Sequence, residues 1–188
     1  MTTHYIDFKV VPDPEFGQTQ LLGALHDHLH LALVQQRRDS IGISFPGYKL
    51  SPRKLGATLR LHGRQADLQQ LLAADWLKGM RDHVHPGEIT AAPSDAPHRI
   101  VQRKQFKTNA ERLRRRRMRR KGETEEQAQA AIPSSMERHP DLPYIHLHSR
   151  STRQPFCLFI ALGPLKASAT PGIFNSHGLG NPATVPWF

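Results

Sequence analysis

Twelve histidines stand in a chain of 188 residues, and imidazole, with an ordinary pKa of about 6.5, can take or give a proton at neutral pH. His26 and His30 are four residues apart, and His146 and His148 are two apart. Those spacings put each pair on one face of a helix or a strand. Such pairs can hold a metal, yet neither has the Cys or carboxylate neighbours that zinc sites usually carry. No paired-carboxylate signature or two-metal acidic cluster is visible either. The expectation is therefore chemistry without a metal or a cofactor. RNA can be cut in that way, because its own 2′-hydroxyl can attack the adjacent phosphate. The reaction needs a base for that hydroxyl, help for the departing 5′-oxygen and in-line positioning. His30 suits the base role. It lies about 100° round the helical wheel from Leu29, at the flank of an apolar stripe, where a side chain can be held firmly and still reach a cleft. A half-exposed structural histidine is the competing reading on these residues alone.

A second feature supplies the substrate class. From Arg112 to Lys121 there are seven arginines and a lysine in ten residues. Thr108 and Glu111 precede the run with the spacing of a capping box, in which each side chain satisfies a backbone N–H of the other. No Gly or Pro interrupts before Gly122, so a helix is expected. Arg112, Arg115, Arg116, Arg119 and Arg120 fall within an arc of about 140°, with Leu113 and Met118 off it as anchors. A disordered basic arm is the rival reading for such a run. Either form suits a polyanion.

The charge is local. The chain carries a net +10. Between His98 and Lys121 there are twelve basic residues and one acid, so the remaining residues together are close to neutral. A confined excess marks a nucleic-acid-binding element rather than a generally basic coat. The length allows one good core or two small domains. No apolar run is long enough to span a membrane, and the amino terminus lacks the pattern of a signal peptide. The lone Cys157 excludes an internal disulfide and suits a reducing cytoplasm; Phe156, Leu158 and Phe159 around it suggest a packing role.

The elements that must position these groups can be placed coarsely. Tyr5 to Val11 alternates like a strand. Leu22, Leu25, Leu29, Ala32 and Leu33 recur at helical spacing from about Gln18 to Gln36. Ile41 to Phe45 is a short strand, Gly47 to Gly56 a loop, Thr58 to His62 a third strand, Ala66 to Ala74 a second helix and His83 to Ile89 a fourth strand. That βαββαβ order is the ferredoxin-like split βαβ. Ala91 to Pro97 looks like a boundary, dividing a domain at 1–97 from another at 98–188. Ile100 to Phe106 is a strand or extended arm carrying Arg103 and Gln105. A helix from about Thr124 to Glu137, disturbed by Pro133, follows the arginine helix. Tyr144 to His148 and Phe156 to Leu162 are strands joined by a polar loop, and the tail is rich in Gly and Pro. The fold class is α+β.

PDPEF (12–16), LH (29–30), IGISFP (41–46), ERLRRRRMRR (111–120), DLP (141–143), ST..F.LFI (151–160), GPL (163–165) and VPWF (185–188) occur together and in this order. In them the chain resembles the type I-F CRISPR repeat-processing endoribonucleases over nearly its whole length. The resemblance implies a ferredoxin-like amino-terminal domain and a smaller carboxy-terminal domain with an arginine-rich helix that grips a hairpin RNA. It implies metal-independent cutting of CRISPR repeat transcripts at the 3′ base of the stem, leaving a 2′,3′-cyclic phosphate. It also implies that the enzyme stays on the mature guide with the other subunits of a cytoplasmic surveillance complex. The family's catalytic histidine maps onto His30 and its catalytic serine onto Ser149. Base readers low in the stem map onto Arg103 and Gln105, the groove helix onto Arg112 to Arg120, a stacking aromatic onto Phe156 and a second serine onto Ser151.

One position departs. Where the family has a tyrosine in the glycine-rich tail, this chain has His177. Either it orients the scissile nucleotide, or it transfers a second proton, or it only fills the tyrosine's space. Arg117 also makes the arginine helix more basic than is usual in the family, which favours non-specific RNA binding. Two rivals to the enzyme share its RNA grip: a guide-capping subunit without useful turnover, and a generic basic RNA-binding protein of ribosomal type.

Overall fold

A computed structural model describes residues 2–105, 110–133, 141–149 and 154–188, and for residues 111 and 112 the backbone alone. In chain order the elements are β1 (His4–Val10), α1 (Gln18–Gln35), β2 (Gly42–Ser44), β3 (Lys49–Leu50), β4 (Arg53–Lys54), β5 (Thr58–Gly63), α2 (Gln65–Ala73), β6 (Val84–Pro86), β7 (Thr90–Ala91), β8 (His98–Arg99), β9 (Val101–Lys104), α3 (Ala110–Lys121), α4 (Glu125–Ala131), β10 (Tyr144–His148), β11 (Pro155–Leu162) and β12 (Val185–Pro186). The class is α+β. Packing divides the chain into two compact units, Met1–Lys104 with Leu142–Phe188, and Gln105–Asp141. Among the described residues no helix is long and apolar enough to cross a membrane.

The first unit is built on an antiparallel sheet of order β2-β5-β1-β6, with β7 also pairing β1. Apart from the β3–β4 hairpin, the order of its elements is that of the split βαβ motif. The register joins Ile6 to Leu61 and Phe8 to Leu59, so these residues share one face of the pleat. That face is the core, sealed by Leu22, Leu25, Leu29 and Leu33 of α1 and by Leu68 and Leu71 of α2. The opposite face, with Asp7 paired to Arg60 and Gly42 to His62, is covered by the tail. A Cβ at Gly42 would lie 2.6 Å from the Phe174 ring and 2.7 Å from Val185, so only glycine admits the tail this closely. Arg60 grips Asp7 through two hydrogen bonds and donates a third to the Phe188 carbonyl. β12 pairs β8.

A second antiparallel sheet, of order β10-β11-β9, belongs to the same unit. Ile145 and Leu147 are buried while Tyr144, His146 and His148 are exposed, the alternation of a sheet with one covered face. Its cover is α1. A Cβ at Gly23 would come within 2.7 Å of the His146 carbonyl oxygen, so this glycine lets helix and strand approach. Strands that follow the Pro/Ala/Ser stretch thus pack with those that precede it.

The second unit holds the arginine helix. Residues Ala110–Lys121 are helical, which excludes a disordered arm. Gly122, at φ +65°, donates its N–H to the Met118 carbonyl and ends the helix in the left-handed turn that glycine favours. Thr124 and Gln127 form a reciprocal capping box that starts α4. Arg114 donates to the Ile132 carbonyl and Arg117 pairs with Glu123. Arg115, Arg116, Arg119 and Arg120 are exposed, while Leu113, Arg114, Arg117 and Met118 are half-buried. The wheel separates these two groups in the same way. Because Arg117 is neutralised within its own unit, the added basicity expected from it is not on the open face.

Three element expectations change. The segment Gly47 to Gly56 is a hairpin, not a loop, because Lys49 pairs Lys54 and Leu50 pairs Arg53. The fourth strand is only Val84–Pro86. The helix expected to run to Glu137 stops at Ala131, because the residue before a proline is driven from helical backbone and Pro133 follows Ile132. Thr108, Phe106, Ser151, the side chains of Glu111 and Arg112, and residues 134–140 lie outside the described residues.

Candidate active site

His30 lies on the second half of α1, half-exposed, one residue beyond the fully buried Leu29. The leucine stripe pins the helix, so the orientation of His30 follows from packing. Its Nδ1 sits 2.6 Å from the Ser176 carbonyl oxygen. A carbonyl can only accept, so Nδ1 carries the hydrogen. In the neutral ring Nε2 is then left with its lone pair, the form a general base requires.

The loop that supplies this carbonyl is tightly built. The side-chain oxygen of Asn175 accepts the N–H groups of His177 and Leu179. The Asn175 and Gly178 N–H groups bond to the Leu179 and Asn175 carbonyls. Gly178 has φ +72°, a left-handed conformation that costs a side-chain-bearing residue energy. A Cβ there would also meet Ile43 at 2.6 Å. The Ile43 N–H donates to the Gly178 carbonyl and the Gly180 N–H to that of Val101, so the loop is stitched to β2 and to the start of β9.

His177 presents its ring to His30. The two imidazoles are parallel within 10° at a centroid separation of 4.1 Å, and His26 stacks on His177 in turn at 5.4 Å. His26 is fully buried and its Nε2–H donates a long 3.3 Å bond to the His177 carbonyl. Burial pushes the His177 pKa down to about 3, helped by the neighbouring His26, His30 and Arg103. Burial likewise holds His26 at about 4. Both rings are therefore neutral near pH 7. Parallel stacked rings do not converge their nitrogens on one point, and among the described residues no group of three or more His, Cys, Asp or Glu is placed to hold a metal.

The second sheet contributes the next two groups. Ile160 is the register partner of Arg103, and Phe156 that of Leu147, so by alternation both face the side of the sheet that α1 covers. The Arg103 guanidinium lies 5.6 Å from the centre of the Phe156 ring. Neighbouring strands thus join a flat apolar platform to a planar cation. Ser149 stands at the base of the β10–β11 connection, where its N–H donates to the Gln154 carbonyl. Gln105 is exposed just past β9. The structure therefore brings His30, His177, Arg103 and Phe156 together, and it places Arg115, Arg116, Arg119 and Arg120 on the exposed face of α3. Ser151 lies outside the described residues.

The CRISPR-associated protein family Cas_Csy4 matches residues 5–188. The chain belongs to the Cas_Csy4 family. It is 48% identical over 185 residues, 98% of this chain and 99% of the relative, to the CRISPR-associated endonuclease Cas6/Csy4 of Pseudomonas aeruginosa (strain UCBPP-PA14). It is 40% identical, with the same coverage, to the CRISPR-associated endonuclease Cas6/Csy4 of Escherichia coli (strain UTI89 / UPEC). Within this Cas_Csy4 chain, two contributors escape residue-type reasoning. Ser176 acts through its backbone carbonyl, which no side-chain pattern reports. His26 carried a signal, its four-residue spacing from His30, but that signal pointed to a metal instead of a stack.

Proposed function

We propose that this chain is a metal-independent endoribonuclease that binds the CRISPR repeat hairpin and cuts at the 3′ base of the stem. The observation that carries the reading is the 2.6 Å hydrogen bond from His30 Nδ1 to the Ser176 carbonyl. It fixes the tautomer in which Nε2 can take the proton of a 2′-hydroxyl. The hydroxyl oxygen then attacks the adjacent phosphorus and displaces the 5′-oxygen, which takes a proton from water while His30 returns its own to solvent, so the products are a 2′,3′-cyclic phosphate and a 5′-hydroxyl. Ser149 positions the attacking hydroxyl. His177, neutral and stacked on His30, holds the base in place and orients the scissile nucleotide; its depressed basicity argues against a second proton-transfer role at neutral pH.

Grip is divided among several elements. Arg103 and Gln105 read bases low in the stem, Phe156 stacks beneath the last pair, and Ser151 attends the cleaved nucleotide. The exposed arginines of α3, together with Arg112, enter the groove of the stem. An A-form major groove is normally too narrow for side-chain readout, but near the ends of a short hairpin it can open to a slim helix. Arginine suits this work because its planar fork meets phosphate or guanine through two bonds. In this division of roles residues 1–97 carry the base and 98–188 the RNA grip. The protein then remains on the mature guide RNA beside the other type I-F complex subunits, in the cytoplasm.

Incubating repeat RNA with the protein in EDTA, beside His30→Ala, tests the reading. Specific cutting that survives EDTA and disappears in the variant supports it. A tight uncut complex with wild type would instead identify a guide-capping subunit. Equal binding of an unrelated stem-loop would reduce the protein to a general RNA binder.

A further inference from the structure

β2 and β5 are antiparallel neighbours, and two residues suffice to join such strands. Here thirteen residues, 45–57, make the connection, and they form the β3–β4 hairpin. Lys49, Leu50, Arg53 and Lys54 are all exposed, Leu50 by 57%. The hairpin is rooted firmly. Gly47 and Gly56 meet back to back, a Cβ on either falling within 2.8 Å of the other's Cα. Gly56 also has φ +87°, which glycine tolerates best. Leu55 is buried beneath it. The Tyr48 hydroxyl donates 3.2 Å to the Ile160 carbonyl of β11, and Ile160 is the register partner of Arg103. Arg99, two residues before β9, is near enough for its charge to act on the Tyr48 hydroxyl. The hairpin is thus tied to the sheet that carries Arg103 and Phe156.

Its charge has one sign. No Asp or Glu occurs between Ser40 and Ala66, and among the described residues Lys49 and Lys54 make no ion pair. Since the chain outside 98–121 is close to neutral in sum, the exposed Lys49 and Lys54 on one rooted hairpin form a second local concentration of positive charge. They are too few to bind a polyanion unaided. They stand, however, on the same framework as the stem-binding strand.

We propose that the β3–β4 hairpin is a second RNA-contact element, which binds the phosphodiester backbone of single-stranded RNA adjoining the base of the bound stem. Lys49 and Lys54 supply the charge, and the exposed Leu50 offers apolar area for an unstacked base to cover. The inference rests on the hairpin-RNA reading above.

The test compares three RNAs blocked by a 2′-deoxy at the scissile nucleotide: the bare repeat hairpin, and the same hairpin with a single-stranded extension of about ten nucleotides on its 5′ or its 3′ side. Wild type should bind one extended RNA more tightly than the bare hairpin. K49E/K54E should lose about fivefold or more on that RNA and keep the bare-hairpin affinity, while K49A/K54A falls between. The slope of log affinity against log salt on the extended RNA should drop by about 1.4, the value for two lost contacts to a single strand. Unchanged bare-hairpin binding and melting temperature exclude misfolding. If neither extension strengthens wild-type binding, or charge reversal weakens bare and extended RNA alike, the inference is overturned while stem recognition stands. It is equally overturned if the reversed variant keeps every RNA affinity and loses binding to another protein subunit. Failure of wild type to prefer the repeat hairpin over an unrelated stem-loop would sink the functional reading, and this inference with it.

Discussion

The imidazole of His177 stacks on that of His30, centroids 4.1 Å apart and ring planes 10° from parallel, while the carbonyl of the residue before it accepts the His30 Nδ1–H. A single loop therefore fixes both the plane and the tautomer of the proposed base. The distribution of work between two adjacent histidines follows from their environments: one ring has its face packed and is held neutral, and the other keeps an accessible edge.

Replacing His30 by alanine should separate cutting from grip. General-base removal costs on the order of 10²- to 10⁴-fold in rate, whereas the stem contacts belong to other residues. Single-turnover cleavage should fall within that range, with dissociation constants for the repeat hairpin within about twofold of wild type. A comparable loss of binding would show that His30 serves the grip and not the chemistry.

His177 should matter by its shape and not by its proton. With a pKa held at about 3, it stays neutral from about pH 5 to 9. His177→Tyr should keep the wild-type pH profile, because a phenol ring preserves the stack. His177→Ala should slow cleavage about tenfold, the cost of roughly 1.4 kcal/mol in positioning, again without losing an ionisation. Disappearance of one limb of the profile in both variants would assign His177 a proton-transfer role. If both variants cleave like wild type, it has neither role.

Stability should decline on acidification well above the carboxylate range. Burial lowers the pKa of His26 to about 4 and that of His62 to about 3, His62 also feeling Arg60 and His98. In the unfolded chain both titrate at about 6.5. Between those values the unfolded state binds more protons, so the folded state is fully favoured above about pH 6.5 and loses ground below it, by up to about 1.4 kcal/mol per pH unit for each residue. Urea unfolding at a series of pH values from 7.5 downward reads this directly. A flat free energy from pH 6.5 to 4.5 would contradict the burial of these two rings.

Arg103 should not tolerate lysine. Its planar guanidinium stands over the Phe156 ring, and a two-bond contact to a base is worth about 1–3 kcal/mol. Arg103→Ala should weaken hairpin binding about 10- to 100-fold, and Arg103→Lys should recover little, since an ammonium has neither the plane nor the fork. Fluorescence anisotropy with the repeat hairpin measures both. Full recovery by lysine would leave only a charge at this position.

Gly178→Ala should damage the site from outside it. The added methyl would need a left-handed backbone and would meet Ile43 at 2.6 Å; strain of that kind costs about 1–3 kcal/mol. Melting temperature and cleavage should fall together, with hairpin affinity kept. A variant as active as wild type would show that the loop can move without disturbing His30.

Local order was written plainly in the residues. The leucine spacing of α1, the alternation of Ile6, Phe8 and Val10, and the division of the arginine helix into an exposed face and a packed one each depend on contacts between near neighbours. Periodicity records such contacts directly. The histidine and arginines proposed for the site could be picked out for the same reason, because side-chain chemistry belongs to the residue. The Gly47–Gly56 hairpin was missed because its roots are contacts between distant residues, glycine on glycine and Tyr48 on Ile160, which leave no period behind.

Sequence alone determined the chemistry available: a neutral-pH base, a cationic helix of fixed polarity, and a resemblance that arranged them into one family. Tertiary structure decided what those groups can do. It closed a tail loop from some 150 positions away onto α1, chose the tautomer of His30, depressed the basicity of His177 by burial, and turned Arg117 away from the open face toward Glu123. Protonation state and orientation depend on surroundings, and surroundings exist only once the chain has folded.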